Sequence, residues 1–386
     1  MSKQRLYHLL FCSYLTFVSL GVFAQDATEV NISGSTAAYS IPNNTATVVA
    51  PELVIDANGN IDGFTVTITG SYTTGDVLSY TGSLPSGVTT SGFSTATRAI
   101  QFSGSASPTV WQEFLRRITL STTSAVCFPE QRQISFNFGP FYYNPLNEHF
   151  YILYNTTSSW TSARSSAEAS SYYGYQGYLA TFTSAAENTF VSNFINANSW
   201  IGCSDNWNVI NGVVGYQLYV NQNDAEGNFY WVTGPESGIH MRTGNASLTT
   251  PATAGSPIAG VYQNWNNNEP NDYNNANTNG QEDYGHAYAT GLWNDFANTQ
   301  NIRSIREYGG MPNDQVNSTV VFTKTVGING APTSSITGGN ISVCPGGSAS
   351  LSLPDFTGTV VRWEYSADNF LTAGTTISNT STTLNL

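Results

Sequence analysis

Apolar and polar residues alternate with a period of two from residue 26 to residue 138. The runs 64–69 (Phe-Thr-Val-Thr-Ile-Thr) and 134–138 (Ile-Ser-Phe-Asn-Phe) show this most clearly, and turns rich in Gly, Asn and Ser separate such runs. Successive side chains of a strand point to opposite faces, so this period indicates strands buried on one face. The pattern therefore predicts half-buried antiparallel strands that form a β-sandwich over residues 26–138.

One helix interrupts the strands of this first stretch. Ser107 followed by Pro108 is a typical N-cap and first-turn pair. The apolar residues that follow fall on one helical face: Val110, Trp111, Phe114, Leu115 and Ile118. We expect a short helix that covers the sandwich.

A connection at residues 56–62 carries oxygen side chains at alternate positions, as calcium loops do. Ile61, however, stands where an EF-hand needs Gly. A strand connection rich in Asn and Asp explains the same residues through turn chemistry alone.

The pattern changes between residues 141 and 309. Trp160, Ala163 and Ala167 recur at helical spacing, and Ser184 with Glu187 forms a capping box that opens a second helix. The expected buried face of that helix contains Phe190, Val191, Phe194 and Ile195. Short strands are predicted near residues 229–232, 284–293 and 302–308, with a long polar loop before the last two. The stretch is predicted to be an α+β domain.

Strand-like runs return after residue 328, at 341–344 and 360–363. The spacing between Cys344 and Trp363 resembles that of the B and C strands of an immunoglobulin-like domain, which implies a partial all-β domain over residues 329–386. Only 58 residues follow Ile328, whereas such a sandwich needs about 100. The sequence is thus either a fragment or a divergent short sandwich, and residues 310–328 are predicted to be a linker.

Composition narrows the possible partners. Charged residues make up 10% of the 386, with 12 basic and 25 acidic side chains and a net charge of −13. Such a surface repels phosphate backbones, so we expect no nucleic-acid partner. The mature chain would keep three cysteines, Cys127, Cys203 and Cys344, which allow at most one internal disulfide.

Residues 1–24 have the positive start, apolar run and small-residue cleavage signature of a secretory signal peptide. The alternative is a transmembrane anchor, but the apolar run is interrupted by Ser and Thr and falls short of about 20 residues. We expect a secreted, extracellular protein with no transmembrane segment in the mature chain.

The candidate chemistry lies in the polar loop of the middle stretch. Nine of the seventeen residues from Asn264 to Gly280 are Asn. Five residues in and after this loop offer carboxylate or amide oxygens: Glu269, Asn271, Glu282, Asn294 and Asp295. Calcium takes six to eight oxygen ligands of these types, so they predict a Ca²⁺ site with positions left for outside ligands. A cis bond before Pro270 would turn both flanking side chains toward one point.

The middle stretch resembles a C-type lectin domain over about 165 residues. The motifs that carry the resemblance occur in the family's order: the helix from Trp160, residues 179–181, 187–188, 200–202, 231–234 and 264–265, Glu269-Pro270-Asn271, Glu282-Asp283 and Trp293-Asn294-Asp295. A single tripeptide would be weak support in so Asn-rich a chain, whereas the ordered series is specific.

The resemblance implies a sugar site on the principal calcium ion. In such lectins the ion binds two neighbouring hydroxyls of a pyranose. Carried over to this chain, Glu269 and Glu282 would accept hydrogen bonds from those hydroxyls, while Asn271 and Asn294 would donate to them. Asp295 would ligate the ion. The Glu-Pro-Asn order resembles that of members that prefer mannose-, glucose-, N-acetylglucosamine- or fucose-type sugars.

The resemblance also implies a second, auxiliary calcium site. Glu226, Asp272, Glu282 and Asp283 match acidic positions of that site in some members. Gln222 stands where another acid is expected, with Asp224 as a possible substitute.

The chain departs from the family at its cysteines. The four usual positions hold Ala167, Tyr284, Asn298 and Arg306, so neither usual disulfide can form. In this the chain resembles disulfide-free bacterial members. The first stretch, from Val77 to Leu120, resembles the cadherin-like repeats of bacterial surface adhesins.

Three functional hypotheses remain. The resemblance favours a secreted adhesin that binds glycans or glycoproteins on cell surfaces in a calcium-dependent way. The alternative is a structural or protein-binding adhesion module that calcium merely rigidifies. An enzyme is not expected, because the mature chain has three histidines, His149, His240 and His286, without zinc-ligand spacing, and lacks a nucleophile elbow or a phosphate loop.

Several conspicuous side chains are expected to be structural. Trp200, Trp231 and Trp293 lie in apolar strand-like contexts and should pack in the core. His286 and Cys203 should also be buried. Tyr273, among polar loop residues, is the better candidate for stacking on a sugar.

Overall fold

The structure is a computed structural model, and it describes the chain in separate ranges. These ranges are 29–36, 39–41, 45–123, 130–244, 255–273, 282–316, 318–328, 350–352, 360–365, 375–381 and 383–385. The predicted signal peptide, Cys127, Cys344 and the run 341–344 lie outside the described residues. Within them the chain is mostly β, with several sheets and few helices. None of the helices in these ranges is both long and apolar enough to cross a membrane.

The first region holds ten strands and one helix. They are β1 (Val30–Ser33), β2 (Tyr39–Ile41), β3 (Thr47–Val48), β4 (Val54–Ala57), β5 (Ile61–Gly70), β6 (Asp76–Tyr80), β7 (Thr89–Ser94), β8 (Ala99–Ala106), α1 (Pro108–Leu115), β9 (Ile118–Thr122) and β10 (Glu130–Phe138). β6 and β3 flank β9 in a three-stranded sheet, and β1 pairs with β4. Phe64, Phe102 and Leu120 belong to one apolar core with residues of all these sheets.

Helix α1 begins as the sequence predicts. The Ser107 side chain accepts a hydrogen bond from the backbone N–H of Val110, with Pro108 in the first turn. Trp111 is fully buried, and its indole N–H donates to the Ile61 carbonyl at 2.8 Å. The prediction for Val110 is wrong, since this residue is 39% exposed and lies outside the buried face.

The middle region holds eleven strands and four helices. They are β11 (Tyr142–Asn144), β12 (His149–Ser158), α2 (Trp160–Glu168), β13 (Ser171–Tyr172), β14 (Tyr175–Leu179), α3 (Ala185–Ser192), β15 (Ser199–Ser204), α4 (Trp207–Val214), α5 (Gln222–Ala225), β16 (Tyr230–Trp231), β17 (Arg242–Thr243), β18 (Ser256–Pro257), β19 (Tyr284–Ala287), β20 (Trp293–Phe296) and β21 (Ile302–Tyr308). Nine of these strands form one sheet, whose main path is β11-β12-β21-β15-β19-β20.

Tryptophan side chains hold the middle region together, as predicted. Trp200, Trp231 and Trp293 are at most 1% exposed. The indole of Trp200 donates to the Ser158 carbonyl at 2.7 Å, and that of Trp293 donates to Asn188 at 2.8 Å. Cys203 is buried as a free thiol, also as expected.

The predicted linker is in part a strand of the first region. Residues 321–328 form β22 (Val321–Ile328), which pairs antiparallel with β10 from Asn137 opposite Val321 to Glu130 opposite Ile328. This strand completes a six-stranded sheet in the order β2-β22-β10-β5-β8-β7. The linker prediction over 310–328 is therefore wrong for residues 321–328. Its alternating apolar side chains are buried because they enter the first core: Phe322, Val326 and Ile328.

Because β10 and β22 are neighbours in one sheet, the whole middle region is inserted between them. The second face of that sheet is consequently covered, which corrects the prediction of half-buried strands. Thr65 and Thr67 of β5 are 0% and 2% exposed. Thr65 donates its hydroxyl to the carbonyl of Gly139, which leads into the middle region, at 2.8 Å.

Four short strands of the last region are described. β23 (Ser350–Ser352) pairs with β26 (Thr383–Asn385), and β24 (Trp363–Tyr365) pairs with β25 (Thr375–Ile377). These pairs agree with β structure, and the immunoglobulin-like assignment stays a prediction.

A buried hydrogen-bonded group joins α3 to the sheet of the middle region. Ser184 caps the helix as predicted, but the Glu187 carboxylate accepts from the N–H and hydroxyl of Thr183 rather than from the cap residue. The Tyr151 hydroxyl lies 2.6 Å from Glu187 Oε1 and 2.9 Å from Glu307 Oε1. One hydroxyl proton serves only one of these contacts, so the other requires a proton on a carboxyl group.

His149 and Glu307 complete this group. His149 Nδ1 lies 2.6 Å from Glu307 Oε1. Burial raises the pKa of Glu307 to about 7, with a further rise from the Glu187 charge, and the His149 hydrogen bond offsets part of this. Burial lowers the pKa of His149, but its bond to Glu307 and the nearby acids outweigh this and leave the pKa raised.

We predict that β22 is needed for the stability of the first region. A chain that ends at residue 316 should lose cooperative unfolding of that region, because Phe322, Val326 and Ile328 leave its core and β10 loses its partner. A chain that ends at residue 328 is the matched control and should unfold as the full chain does. Urea unfolding followed by tryptophan fluorescence makes the comparison. Equal stability of the two chains would contradict the pairing.

We also predict that stability falls as pH rises from 5 to 8. The folded Glu307 binds a proton up to about pH 7, whereas an unfolded glutamate binds one only below about pH 4.3. The folded state therefore holds more protons in this window, and His149 acts with the same sign. Glu307→Gln should reduce the slope of unfolding free energy against pH by up to about 1.4 kcal/mol per unit.

The control for this pH measurement is Glu148→Gln, at an exposed neighbour of His149. It should keep the slope of the unchanged chain. An unaltered slope in Glu307→Gln would refute the role given to this carboxyl group.

Candidate functional site

The start of the polar loop is fixed to strand β20. The backbone of Trp293 donates to the carbonyl of Asn264 and accepts from the N–H of Asn266, both at 2.8 Å. The Asn264 side chain donates to the Gly291 carbonyl at 2.8 Å, and the Trp265 ring packs against Phe229 at 4.7 Å between centroids. The residues before Glu269 are thus held on the core.

Asp295 organises the next part of the loop. It lies on β20 and is 1% exposed. Its two carboxylate oxygens each accept from the backbone N–H of Asn271 at 3.0 Å, and Oδ2 also accepts from that of Asp272 at 2.7 Å. The peptide bond before Pro270 is cis. Burial raises the pKa of Asp295 to about 6, although these backbone donors lower it.

Glu269 and Asn271 present oxygens that lack hydrogen-bond partners. Glu269 Oε2 and Asn271 Oδ1 are both buried and unpaired. The Glu269 carboxyl group contacts the side chains of Asp295 and Asn271. Burial raises the pKa of Glu269 to about 8, and the charges of Asp295 and Glu282 raise it further. The structure therefore brings these three predicted residues together.

Glu282 closes the loop from its other end. Its Oε2 accepts from the N–H of Tyr273 at 2.6 Å, and its own N–H donates to Asp272 Oδ1 at 3.2 Å. Burial and then the Asp295 charge raise the pKa of Glu282 to about 7. Tyr273 is 66% exposed next to this carboxylate, which agrees with its expected surface position.

The side chain of Asn294 makes contacts within the protein that the sequence did not predict. It is 7% exposed, and its side-chain NH₂ donates to the Asp295 carbonyl and lies 3.3 Å from His286 Nε2. Burial lowers the pKa of His286 to about 4, so the ring is neutral near pH 7 and buried as expected. The amide donor assigned to a sugar hydroxyl is therefore engaged within the protein.

The residues predicted for a second ion also meet, with an acid that sequence reasoning missed. Glu226, Asp272 and Asp283 are 7–8% exposed, and Asp205, at the end of β15, is 1% exposed. Asp205 Oδ2 accepts from the Gly227 N–H at 2.8 Å, while its Oδ1 and Asp283 Oδ1 have no hydrogen-bond partner.

The charges of these acids act on one another. Burial raises the pKa of Glu226 to about 8, followed by the charges of Asp272 and Asp283. Burial raises the pKa of Asp283 to about 6, and it raises that of Asp205 well above its usual value, with Glu226 as the next cause. Four carboxyl groups in one place favour a cation or shared protons.

Asp224 does not replace the expected acid. It is exposed and accepts from the Asn221 side chain at 3.1 Å. Gln222 instead donates to the Asp205 carbonyl at 3.2 Å and to Glu226 Oε2 at 3.5 Å. The one sequence signal for Asp205 is its position directly after a buried strand.

The donor set fits a hard divalent cation. Within the described ranges, no three His, Cys, Asp or Glu side chains are already arranged as a metal site. The buried oxygens without partners, on Glu269, Asn271, Asp205 and Asp283, are nevertheless of the type that Ca²⁺ prefers. Burial raises the pKa of Glu269 and that of Glu226 to about 8, and a bound cation would oppose this rise by stabilising their ionised forms.

Comparison with known proteins gives one curated relative. No known family model matches the chain. The protein named Halomucin, from Haloquadratum walsbyi (strain DSM 16790 / HBSQ001), is 28% identical over 309 residues, or 78% of this chain. The chain spans about 3% of the length of that relative.

Structural neighbours over about 42% of the chain include C-type lectin domains. The C-type lectin CEL-I from Cucumaria echinata is 24% identical, with 42% of this chain and 90% of CEL-I covered and a TM-score of 0.27. The mouse scavenger receptor C-type lectin carbohydrate-recognition domain is 19% identical, with 41% and 88% covered and a TM-score of 0.27. A calcium-independent type II antifreeze protein is 16% identical, with 42% and 88% covered and a TM-score of 0.26. At such TM-scores these likenesses support no argument about the site.

We predict that Asp205 contributes to cation binding. Asp205→Asn keeps an oxygen that can accept from Gly227 but removes a charge from the cluster. It should raise the melting temperature in EDTA, because repulsion falls, and reduce the melting-temperature increase that calcium produces. Asp224→Asn, an exposed acid on the neighbouring helix, is the control and should change neither value. Thermal unfolding with and without calcium measures both, and an unchanged calcium response in Asp205→Asn would contradict this role.

Proposed function

We propose that the middle region is a C-type lectin domain that binds calcium and, through it, mannose-type glycans. The observation that supports this most is the pair of buried, unpaired oxygens, Glu269 Oε2 and Asn271 Oδ1, on either side of Pro270. They lie beside Asp295, and the Glu282 charge acts on the same carboxyl group. Buried polar atoms without partners cost free energy, which a bound cation would remove.

Glu269, Asn271, Glu282 and Asp295 would hold the ion, with Asn294 as a further ligand through its amide oxygen. Bound calcium supplies coordination positions for two neighbouring sugar hydroxyls. Glu269 and Glu282 would accept hydrogen bonds from those hydroxyls, and Asn271 would donate to them. The Glu-Pro-Asn order favours sugars with mannose-like hydroxyl geometry. The exposed Tyr273 offers a ring beside Glu282 on which a sugar could stack.

A second ion would be held by four acids: Asp205, Glu226, Asp272 and Asp283. Asp272 connects the two groups of acids, because its N–H donates to Asp295 and its Oδ1 accepts from Glu282. Binding at the second position would therefore stabilise the loop that carries Glu269.

We further propose a non-catalytic, extracellular adhesin as the setting of this domain. The start of the chain has the pattern of a secretory signal, and the first region is a β-rich domain to which the lectin-like domain is attached. Glycans or glycoproteins on cell surfaces are its expected partners. Single sugar sites of this kind are weak, so attachment would depend on multivalency.

A second candidate is a calcium-rigidified module that binds no sugar. One observation favours it: the side-chain NH₂ of Asn294, a predicted sugar donor, is used within the protein. Calcium titration of the full chain with and without methyl mannoside distinguishes the two. Calcium binding that methyl mannoside leaves unchanged would support the rigidified module and overturn the lectin proposal.

We predict that Glu269→Gln abolishes retention on a mannose column in calcium. The substitution keeps the side-chain size but removes a charge and an acceptor, so calcium affinity should fall by roughly tenfold, or about 1.4 kcal/mol. Glu113→Gln, an exposed acid of α1, is the control and should bind as the unchanged chain does. Retention of Glu269→Gln equal to that control would refute the site.

A further inference from the structure

A second candidate binding site is formed by residues other than those of the proposed calcium sites. A cleft of about 1060 Å³ is formed where β8 and the connection 139–141 of the first region meet α2 and β21 of the middle region. Phe141, Ile152 and Tyr308 give it apolar walls, and Asp62 lies in the wall on the side of the first region. No residue of the proposed calcium sites lines this cleft.

One wall of the cleft is rich in hydroxyl groups. Eight Ser and Thr side chains line the cleft as a whole. Four of them lie on one face of α2 and form this wall: Thr161, Ser162, Ser165 and Ser166. Thr161, Ser162 and Ser165 are exposed, so they face the open side of the helix. Each such hydroxyl can both donate and accept a hydrogen bond, which suits a ligand that itself carries hydroxyl groups.

Arg306 places a positive charge in this cleft without an anion to balance it. The residue is only 5% exposed. Its Nη2 donates to the Ser166 hydroxyl at 2.7 Å, and its guanidinium carbon lies 3.5 Å from the centroid of the Tyr154 ring. Its Nε is buried and has no hydrogen-bond partner.

The carboxylate that lines the cleft, that of Asp62, does not neutralise this charge. Asp62 makes no ion pair with Arg306, and neither does any other acid in the described ranges. Arginine is almost never so deeply buried unless it is paired, because an unpaired charge is costly in a protein interior. Contact with the Tyr154 ring offsets part of that cost.

We propose that this cleft binds a sugar acid, whose carboxylate pairs with Arg306 and whose hydroxyl groups bond to the Ser and Thr side chains of α2. A planar guanidinium matches a carboxylate through two parallel hydrogen bonds. The hydroxyl-rich wall favours a saccharide over an apolar acid, because each hydroxyl can make hydrogen bonds to sugar hydroxyls in addition to those it makes within the protein. Ligand binding here needs no metal ion, and the proposal does not depend on the calcium site.

The test is a set of titrations of the full chain in EDTA, followed by ligand-observed NMR. Glucuronate and galacturonate are the probes, glucose and galactose are their neutral counterparts, and benzoate is an acid without hydroxyls. The two uronates should bind saturably, and the other three compounds should bind at least roughly tenfold more weakly. The absence of saturable uronate binding would overturn the proposal, as would equal binding of the neutral sugars. Equal binding of benzoate would overturn the assignment to a saccharide.

Two variants locate the site. Arg306→Gln should weaken uronate binding by at least roughly tenfold. Arg164→Gln is the matched control. Arg164 lies on α2, the helix that carries the hydroxyl groups, and it is already paired with Glu168 at 2.7 Å. This variant should bind uronate as the unchanged chain does. If Arg306→Gln fails to fold, Ser165→Trp decides, since it fills the cleft from an exposed position and should also block binding. Uronate binding that persists in folded Arg306→Gln or in Ser165→Trp would refute the site.

Discussion

The pairing of β10 with β22 is the constraint on which the rest of the architecture depends. These two strands are neighbours in one sheet, yet the whole middle region lies between them in sequence. Both ends of that region are therefore attached to the same sheet rather than to a flexible tether. The attachment buries the hydroxyl-bearing face of β5 and creates the cleft beside Arg306.

The acids of the candidate calcium sites oppose folding, whereas the pairing of β10 with β22 stabilises the fold. Seven of the 25 acidic residues meet around one loop: Asp205, Glu226, Glu269, Asp272, Glu282, Asp283 and Asp295. In a chain with so few charges this concentration is not explained by solubility. Stability alone would favour their replacement, because their mutual repulsion and burial oppose folding. A bound divalent cation would reverse the sign of that contribution by pairing with the ionised forms.

Local patterns predicted the elements whose contacts lie close in sequence. Ser107 and Ser184 cap helices as their neighbours indicate, and the polar loop after Asn264 brings Glu269, Asn271 and Asp295 together. The features that local patterns did not predict involve partners that are distant in sequence. β22 has the alternation of a strand, but nothing local shows that β10 is its partner. Asp205 is a single acid after an apolar run, and only the fold places it beside Glu226. Val110 has helical spacing, but the buried face of α1 is formed by Trp111, Phe114 and Leu115, and Val110 stays 39% exposed.

Tyr284 and Arg306 are both buried, with different consequences for stability. The Tyr284 ring packs against that of Trp160 at 4.7 Å between centroids. Such an aromatic pair contributes about 0.5–1.5 kcal/mol beyond its buried area. Arg306 cannot be explained in the same way. A buried guanidinium with an unpaired Nε opposes folding, and an apolar residue there would pack without that cost. A buried position that is occupied by an unpaired charge is better explained by what the charge binds than by what it stabilises.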